Sequence, residues 1–373
     1  MTTYRSDKVF NGKVLLGPGV VRVENDRIVE VISGRAQIGV KADVDFGDHI
    51  LCPGFVDIHS HGGGGAAFTD GQEAATTVFN THLNEGTTSI MASLVTDTLD
   101  NLEAQIHALT PMYERDEILG IHLEGPWLAM DYKGAHNPDL LRDPVLDDVK
   151  RLCQAGPVKM VTIAVEREGG QEAVKWMVAN GVIAAPGHTD ATYAQVREAI
   201  VNGSQNITHI FNAMKAINHR EPGPVLAALE SPGLPVELIS DGVHTHRATV
   251  KFVFDMKGPD VILVTDAMAA AGSPDGDYML GPLEVEVREA VARLKSNGAI
   301  AGSTLTLSRA IRFATYSAGV NMWLALHAAT SRPAALLGRS DIGRLIPGAF
   351  ADMVVESTSL QVQHVFRRGA QVR

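Results

Sequence analysis

The chain has 373 residues, room for one large domain and a smaller annex. Its 43 acidic against 32 basic residues give a formal charge of −11 with no compensating run of Lys or Arg, which argues against a nucleic-acid partner or a membrane-surface role. Met1 to Phe10 lacks the apolar core of a signal peptide, no uncharged apolar run reaches about 18 residues, and Cys52 and Cys153 are the only cysteines, so the expectation is a soluble, cytoplasmic protein in which any metal is held by His and carboxylates.

In chain order, the first fifty residues alternate apolar and polar with period two, as in Val21-Arg22-Val23-Glu24 and Ile28-Val29-Glu30-Val31, joined across Asn25-Asp26, a tight hairpin turn. The same texture returns in Ala351 to Val355 and Val362 to Phe366 after the turn Ile346-Pro347-Gly348. Both ends are therefore expected to meet in one small β-sandwich domain, residues 1–52 with 336–373.

Between them, eight short apolar runs alternate with helical patterns: 54–59, 88–95, 118–124, 158–165, 182–188, 206–211, 236–241 and 261–266. Near-continuous apolar strands buried on both faces, each followed by a helix, predict an α/β fold of the (β/α)8 TIM-barrel type over residues 53–335. Helix starts are read at Asp143-Pro144 and at Asp190, with Gly203 closing the second. The segment Ser273 to Asn297 reads as an insertion after the eighth strand, with a hairpin around LEVEVREAVARL, followed by a helix from about Thr304.

In such a barrel the loops after the strands build the active site, so polar residues ending apolar strands are informative. The first strand ends in His59-Ser60-His61 and four glycines, the third in His122-Leu123-Glu124, and the fifth in Gly187-His188-Thr189. The sixth ends in His209-Ile210-Phe211-Asn212, the seventh in Asp241-Gly242-Val243-His244 and the eighth in Asp266. His59 and His61, two apart on a strand, share a face. Glu124 is an oxygen ligand able to bridge two ions, with His188 and His209 supplying nitrogen to a second position. This donor set suits a divalent metal, Zn²⁺ first, and an open position on zinc lowers the pKa of bound water to about 7. Asp266 is placed to accept that proton and return it to a leaving group, and also to ligate.

Other polar residues read as ordinary. His82, His107, His327 and His364 lie away from the rim and are taken as structural, His246 stays unassigned, Trp176 and Trp323 pack in the core, and Glu166, Arg167 and Glu168 form a solvated loop.

The motifs LCPGFVDIHSHGGGG, HLEGP, GHTDA, THIFNAM, HREPG, SDGVH, LVTDAM and AGSTLTLSRA, from about residue 45 to 355, together resemble the N-acetylglucosamine-6-phosphate deacetylases of the amidohydrolase superfamily. The resemblance implies a metal-dependent barrel with a small β domain, usually a homodimer, that removes acetate from N-acetyl-D-glucosamine 6-phosphate in amino-sugar catabolism and cell-wall recycling. By position it makes Glu124, His188 and His209 the main metal ligands, Asp266 the acid/base, and His136 a group polarising the acetyl carbonyl. It places Ala135, Asn212, Ala213, His244 and the backbone around Ile300, Ala301 and Gly302 along the sugar. Arg220, with His219, would grip the phosphate, the loop reaching into the neighbouring subunit. Members differ at the His-x-His site; here both histidines are present, so one or two ions are expected, with Fe²⁺, Co²⁺ or Mn²⁺ as alternatives to Zn²⁺. The guanidinium of Arg220 matches phosphate oxygens in its own right, on a loop stiffened by Pro222-Gly223-Pro224.

Two other readings stand beside this one: an amidohydrolase acting on another N-acyl amino sugar or a cyclic amide, and a non-catalytic relative. The branch that bridges its metals with a modified Lys after the fourth strand is disfavoured because VKMVTIAVERE carries Glu166 there. The non-catalytic reading is disfavoured because every expected ligand is present.

Overall fold

The computed structural model describes all residues, 1–373. The two ends of the chain meet in one eight-stranded sheet. Its order runs Ala370–Gln371, Val362–Arg367, Met353–Glu356, Ile50–Pro53, Thr2–Phe10, Leu15–Glu24 and Arg27–Ser33, with Val44–Asp45 also paired to Thr2–Phe10. The hairpin of Leu15–Glu24 with Arg27–Ser33 turns at Asn25, whose φ of 52° suits a side chain that tolerates left-handed backbone. Tyr4 and Phe366 bring their ring centroids to 5.0 Å although two strands lie between theirs. Three flat strand spacings would separate them by about 14 Å, so the sheet folds over its own small core. Alternation decides what each face meets. Leu51, Met353, Val355 and Phe366 point into that core, whereas Ile50, Cys52, Val354 and Val365 join the large core of the barrel.

Glu356 ends one strand of this sheet fully buried, with no hydrogen-bond partner for either carboxylate oxygen. Burial pushes its carboxyl up to about 8, the charge of Arg312 only partly opposing this. The unfolded chain loses this proton near the ordinary carboxylate value, but the folded chain keeps it until about pH 8, so the group lowers stability as pH rises across that interval. Glu356→Gln is therefore expected to stabilise the protein by about 2 kcal/mol at pH 8 and by little at pH 5. An equal change of Tm at both pH values would show that this carboxyl does not titrate as described.

The barrel follows the alternating pattern. Five parallel strands run in the order Ile183–Pro186, Val158–Ile163, Ile121–Glu124, Thr87–Val95 and Phe55–Ser60, and a further parallel pair is Val236–Ile239 with Val261–Val264. Asp266 N donates to His59 O (2.9 Å), and Ser60 bridges Ala267, which closes the circle between the eighth strand and the first. One helix follows each strand position, from Gln72–Asn84 after the first to Leu307–Arg312 after the eighth. No helix is long and apolar enough to cross a membrane.

The structure departs from the expected pattern at several points. Residues 206–211 hold the sixth place but form no regular strand. Thr208 N donates to Pro186 O on one side and Glu237 N to Ile207 O on the other, while positive φ at His209 and Phe211 turns the chain out of extended geometry. The third helix starts at Leu146 with Val145 in the N-cap position and no side-chain cap, so Asp143 lies outside it. The fifth, Tyr193–Val201, starts after Thr192, which forms a capping box with Gln195, so Asp190 lies outside it. Glu166 is not a solvated loop residue: it accepts from Thr189 Oγ1 (2.5 Å) and Asp190 N (2.7 Å), tying the fourth loop to the fifth. Arg167 likewise donates to Asp143 and to Leu128 O. The insertion is three-stranded, Gly276–Leu280, Leu283–Arg288 and Val291–Leu294, around a separate core that includes Met268, Leu280, Val285, Val287 and Leu294.

Candidate active site

Strand ends place the polar groups. His59 and His61 extend from the first strand two residues apart and are both buried. Glu124 is the last residue of the third strand. His188 stands just past the fifth, behind Gly187, where a Cβ would lie 2.6 Å from Thr208 Cβ; only glycine allows that approach. His188, His209 and Asp266 all sit at positive φ (47°, 21° and 47°), backbone that costs a non-glycine residue about 1–3 kcal/mol and tends to gather at functional sites.

One carboxylate joins the whole arrangement. Glu124 Oε1 lies 3.1 Å from His188 Nε2 and 3.0 Å from His209 Nε2, and those two nitrogens are 3.0 Å apart. Its other oxygen lies 3.1 Å from His61 Nε2 and 3.4 Å from His136 Nε2. Asp266 Oδ1 is 3.2 Å from His61 Nε2 and 3.5 Å from His59 Nε2, which are 3.2 Å from each other. Two donor groups result: Glu124, His188 and His209; and His59, His61, Glu124 and Asp266.

Both groups fit a metal ion. Four donors about 2.0–2.1 Å from a tetrahedral ion lie about 3.3 Å from one another, close to the spacing observed. The imidazoles are also turned correctly. His59 Nδ1 donates to Glu237 Oε2 (2.9 Å), His61 Nδ1 to Ser93 O (3.2 Å) and His188 Nδ1 to Tyr132 O (2.8 Å), which leaves each Nε2 as a lone pair facing inward. His136 is turned the other way: its Nδ1 meets the Thr96 hydroxyl at 2.8 Å and the Thr96 N–H at 3.4 Å, and because that N–H can only donate, Nδ1 accepts and the proton is assigned to Nε2, on the side of Glu124 and the cavity.

Electrostatics favour a cation here. Glu124 is fully buried, which opposes ionisation, yet the charge of His59 and the close imidazoles of His136, His188 and His209 hold it well below the usual carboxylate range. Asp266 is lowered against the same burial by His59 and His61. Burial pulls on His59 and His61 too, but the surrounding carboxylates raise His59 well above its ordinary value and His61 to about 9. His188, where desolvation wins, falls to about 4. The cluster is thus a buried centre in which two carboxylates, Glu124 and Asp266, stay ionised among imidazoles, a charge pattern that can hold a cation.

These groups open on a cavity of about 150 Å³. Of the residues singled out in the sequence, His61, Glu124, Ala135, His136, His188, His209, Asn212, Ala213, His244, Asp266, Ile300 and Gly302 line it. His244 is held by Asp241, Nδ1 donating to Oδ2 at 2.7 Å. Ala301 instead packs into the core of the insertion. His219 and Arg220 stand exposed on the loop before Gly223–Leu229, outside the lining of this chain's cavity, and Glu221 accepts from Tyr193 N instead of pairing with Arg220.

Sequence reasoning gave no role to the supporting groups, although it noted His122 at the end of the third strand. Glu237, fully buried, accepts from His59 Nδ1, Asn206 Nδ2 (2.7 Å) and His209 N (3.2 Å). His122 packs its ring 4.5 Å from that of His59 and bonds Ser93 Oγ and Thr162 Oγ1. Asp57 accepts from Thr265 Oγ1 at 2.6 Å beside the closure. The available signal was a charged or imidazole side chain in the middle of an otherwise apolar strand, where burial demands a partner.

A family model of amidohydrolases matches residues 50–372, and the chain belongs to the amidohydrolase family. The N-acetylglucosamine-6-phosphate deacetylase of Lysinibacillus sphaericus is 34% identical over 86% of this chain and 84% of its own. The N-acetylgalactosamine-6-phosphate deacetylase of Escherichia coli O157:H7 is also 34% identical, over 86% and 87%. Among solved structures, N-acetyl-D-glucosamine-6-phosphate deacetylase from Mycobacterium smegmatis, in an aspartate-to-alanine variant with N-acetyl-D-glucosamine-6-phosphate bound, superposes with a TM-score of 0.96. It is 41% identical, covering 100% of this chain and 99% of that one.

Proposed function

We propose that the protein hydrolyses the N-acetyl group of N-acetyl-D-glucosamine 6-phosphate to D-glucosamine 6-phosphate and acetate, in the cytoplasm, as part of amino-sugar catabolism. The observation that carries this reading is the convergence of Glu124, Asp266 and His136 on one cavity beside the donor pairs His188/His209 and His59/His61. A divalent ion bound there supplies Lewis acidity and lowers the pKa of water; Zn²⁺ suits the imidazole and carboxylate donors best. Glu124, His188 and His209 would hold one ion, and His59, His61, Glu124 and Asp266 a second.

Asp266 takes a proton from the attacking water and returns it to the departing amine, so that one carboxylate serves both halves of the reaction. His136 Nε2–H donates to the acetyl oxygen as charge develops on it. Thr96 is the positioning residue that sets the His136 proton on that side. Ala135, Asn212, Ala213, His244, Ile300 and Gly302 border the sugar, with the backbone at Ala301 behind them. Arg220 and His219 are assigned to the phosphate of a second copy in a homodimer, since their exposed loop lies away from the cavity of its own chain.

A second reading, the 4-epimer as substrate, has support in the equally similar galactosamine-type relative. Acetate release from both 6-phosphates and from unphosphorylated N-acetylglucosamine, with and without chelator and with zinc, iron, cobalt or manganese restored, tests both readings. The expected result is chelator-sensitive release that depends on the phosphate, with Arg220→Ala raising KM tenfold or more. Indifference to the phosphate would remove Arg220 from its assignment, and no release from either epimer would refute the deacetylase reading.

A further inference from the structure

Of the apolar side chains that line the cavity, with Ala135, Ala213 and Ile300 among them, Val95 and Leu280 are the two that are also buried members of the insertion's separate core. Val95 ends the strand Thr87–Val95, and Leu280 ends the first strand of the insertion; they are 6% and 5% exposed, and both line the cavity. They also share the separate core of the insertion with Val285, Val287 and Leu294, so the wall is backed by packed hydrocarbon. Thr96, the next residue after Val95, donates its backbone N–H to His136 Nδ1. The wall therefore stands beside the imidazole assigned to the acyl oxygen.

The direction of the acyl chain follows from the valences of one carbon. An amide carbon has three bonds. On the reading proposed above, the oxygen faces His136 Nε2–H and the nitrogen faces Asp266, with the sugar running on past Asn212, Ala213 and His244. The remaining bond, to the acyl methyl, points to the side closed by Val95 and Leu280. A second hollow of about 340 Å³ has Val95 in its lining too, together with Gly281 and Pro282 of the insertion and Asp97, Asn101 and Gln105. Val95 is thus common to both spaces.

We infer that Val95 and Leu280 form the wall that sets acyl-chain length, admitting a two-carbon acyl group and excluding longer ones, with the insertion serving as its support. This rests on the deacetylase reading. A short apolar wall desolvates the methyl group and meets any added methylene with overlap. In a packed pocket one methylene is worth about 10–200-fold in kcat/KM. Truncating either side chain removes volume from the wall, and at Val95, which borders both spaces, it also thins the partition, so the cost of a longer chain falls.

The experiment measures kcat/KM for amine release from N-formyl-, N-acetyl-, N-propionyl- and N-butyryl-glucosamine 6-phosphate with the metal-loaded parent, Val95→Ala, Leu280→Ala and Val95→Leu. Each truncation is expected to raise the propionyl-to-acetyl ratio tenfold or more over the parent, and Val95→Leu to shift preference toward formyl. Leu280→Ala decides alone if Val95→Ala fails to fold, because it alters the insertion and leaves the barrel strand intact. Folded truncations active on the acetyl substrate, with an acyl ratio within twofold of the parent, would overturn the wall. A parent inactive on every one of these sugar phosphates would instead overturn the deacetylase reading, and the wall with it.

Discussion

Asp266→Asn is expected to lower kcat by about three to four orders of magnitude while KM and bound metal change little. Asparagine keeps the shape of the side chain and an oxygen in the place of Oδ1, which lies 3.2 Å from His61 Nε2. It cannot take up the proton that must leave the attacking water, nor deliver one to the amine nitrogen, so water attack and bond cleavage are impaired together. The Glu124, His188 and His209 group does not include Asp266 and should keep its ion. Steady-state kinetics with metal analysis of the same preparation check this. Turnover near that of the parent would remove Asp266 from the proton path, and loss of all metal would mean that its main role is ligation.

Glu124→Gln should have the larger structural effect. The carboxylate reaches His188 and His209 with one oxygen and His61 and His136 with the other, so a single substitution disturbs both donor groups. Glutamine offers one oxygen and turns N–H donors toward lone pairs that face inward, and it removes the charge that balances the buried imidazoles. Bound metal is expected to fall below about a tenth of an equivalent and acetate release to the level of the chelated parent. The gain in Tm that metal gives the parent should vanish, since a ligand that no longer binds no longer stabilises. Full metal occupancy in the variant would show that the ion is held elsewhere.

How much of this was legible in the sequence depended on the range of the information. His59 and His61 were readable as a pair because two residues on a strand share a face, a local rule that needs no knowledge of the rest of the chain. Glu124, His188 and Asp266 were readable because each follows an apolar run and so falls on a barrel rim. Glu237 was not: nothing in Val236–Ile239 says that its carboxylate would meet His59, 178 residues away, and fix that ring's proton. The irregular sixth segment was missed for a related reason. Its composition suits a strand, but the turn that brings His209 to Glu124 is imposed by neighbours on both sides. The partition at Val95 and Leu280 needed the insertion to be folded back over the barrel before it existed at all.

By itself the sequence determined the alternation of buried strands and helices, the pairing of the two chain ends, and which residue types stand at the mouth of the barrel. These follow from hydrophobic periodicity and turn chemistry, which act over a few residues. Only the tertiary structure decided which of those groups touch, which nitrogen each imidazole turns inward, and which side chains close the cavity. Those outcomes depend on barrel closure and packing between segments 64 and 85 residues apart, as between Glu124 and its histidine neighbours His188 and His209, and no local pattern encodes a distance across a closed sheet.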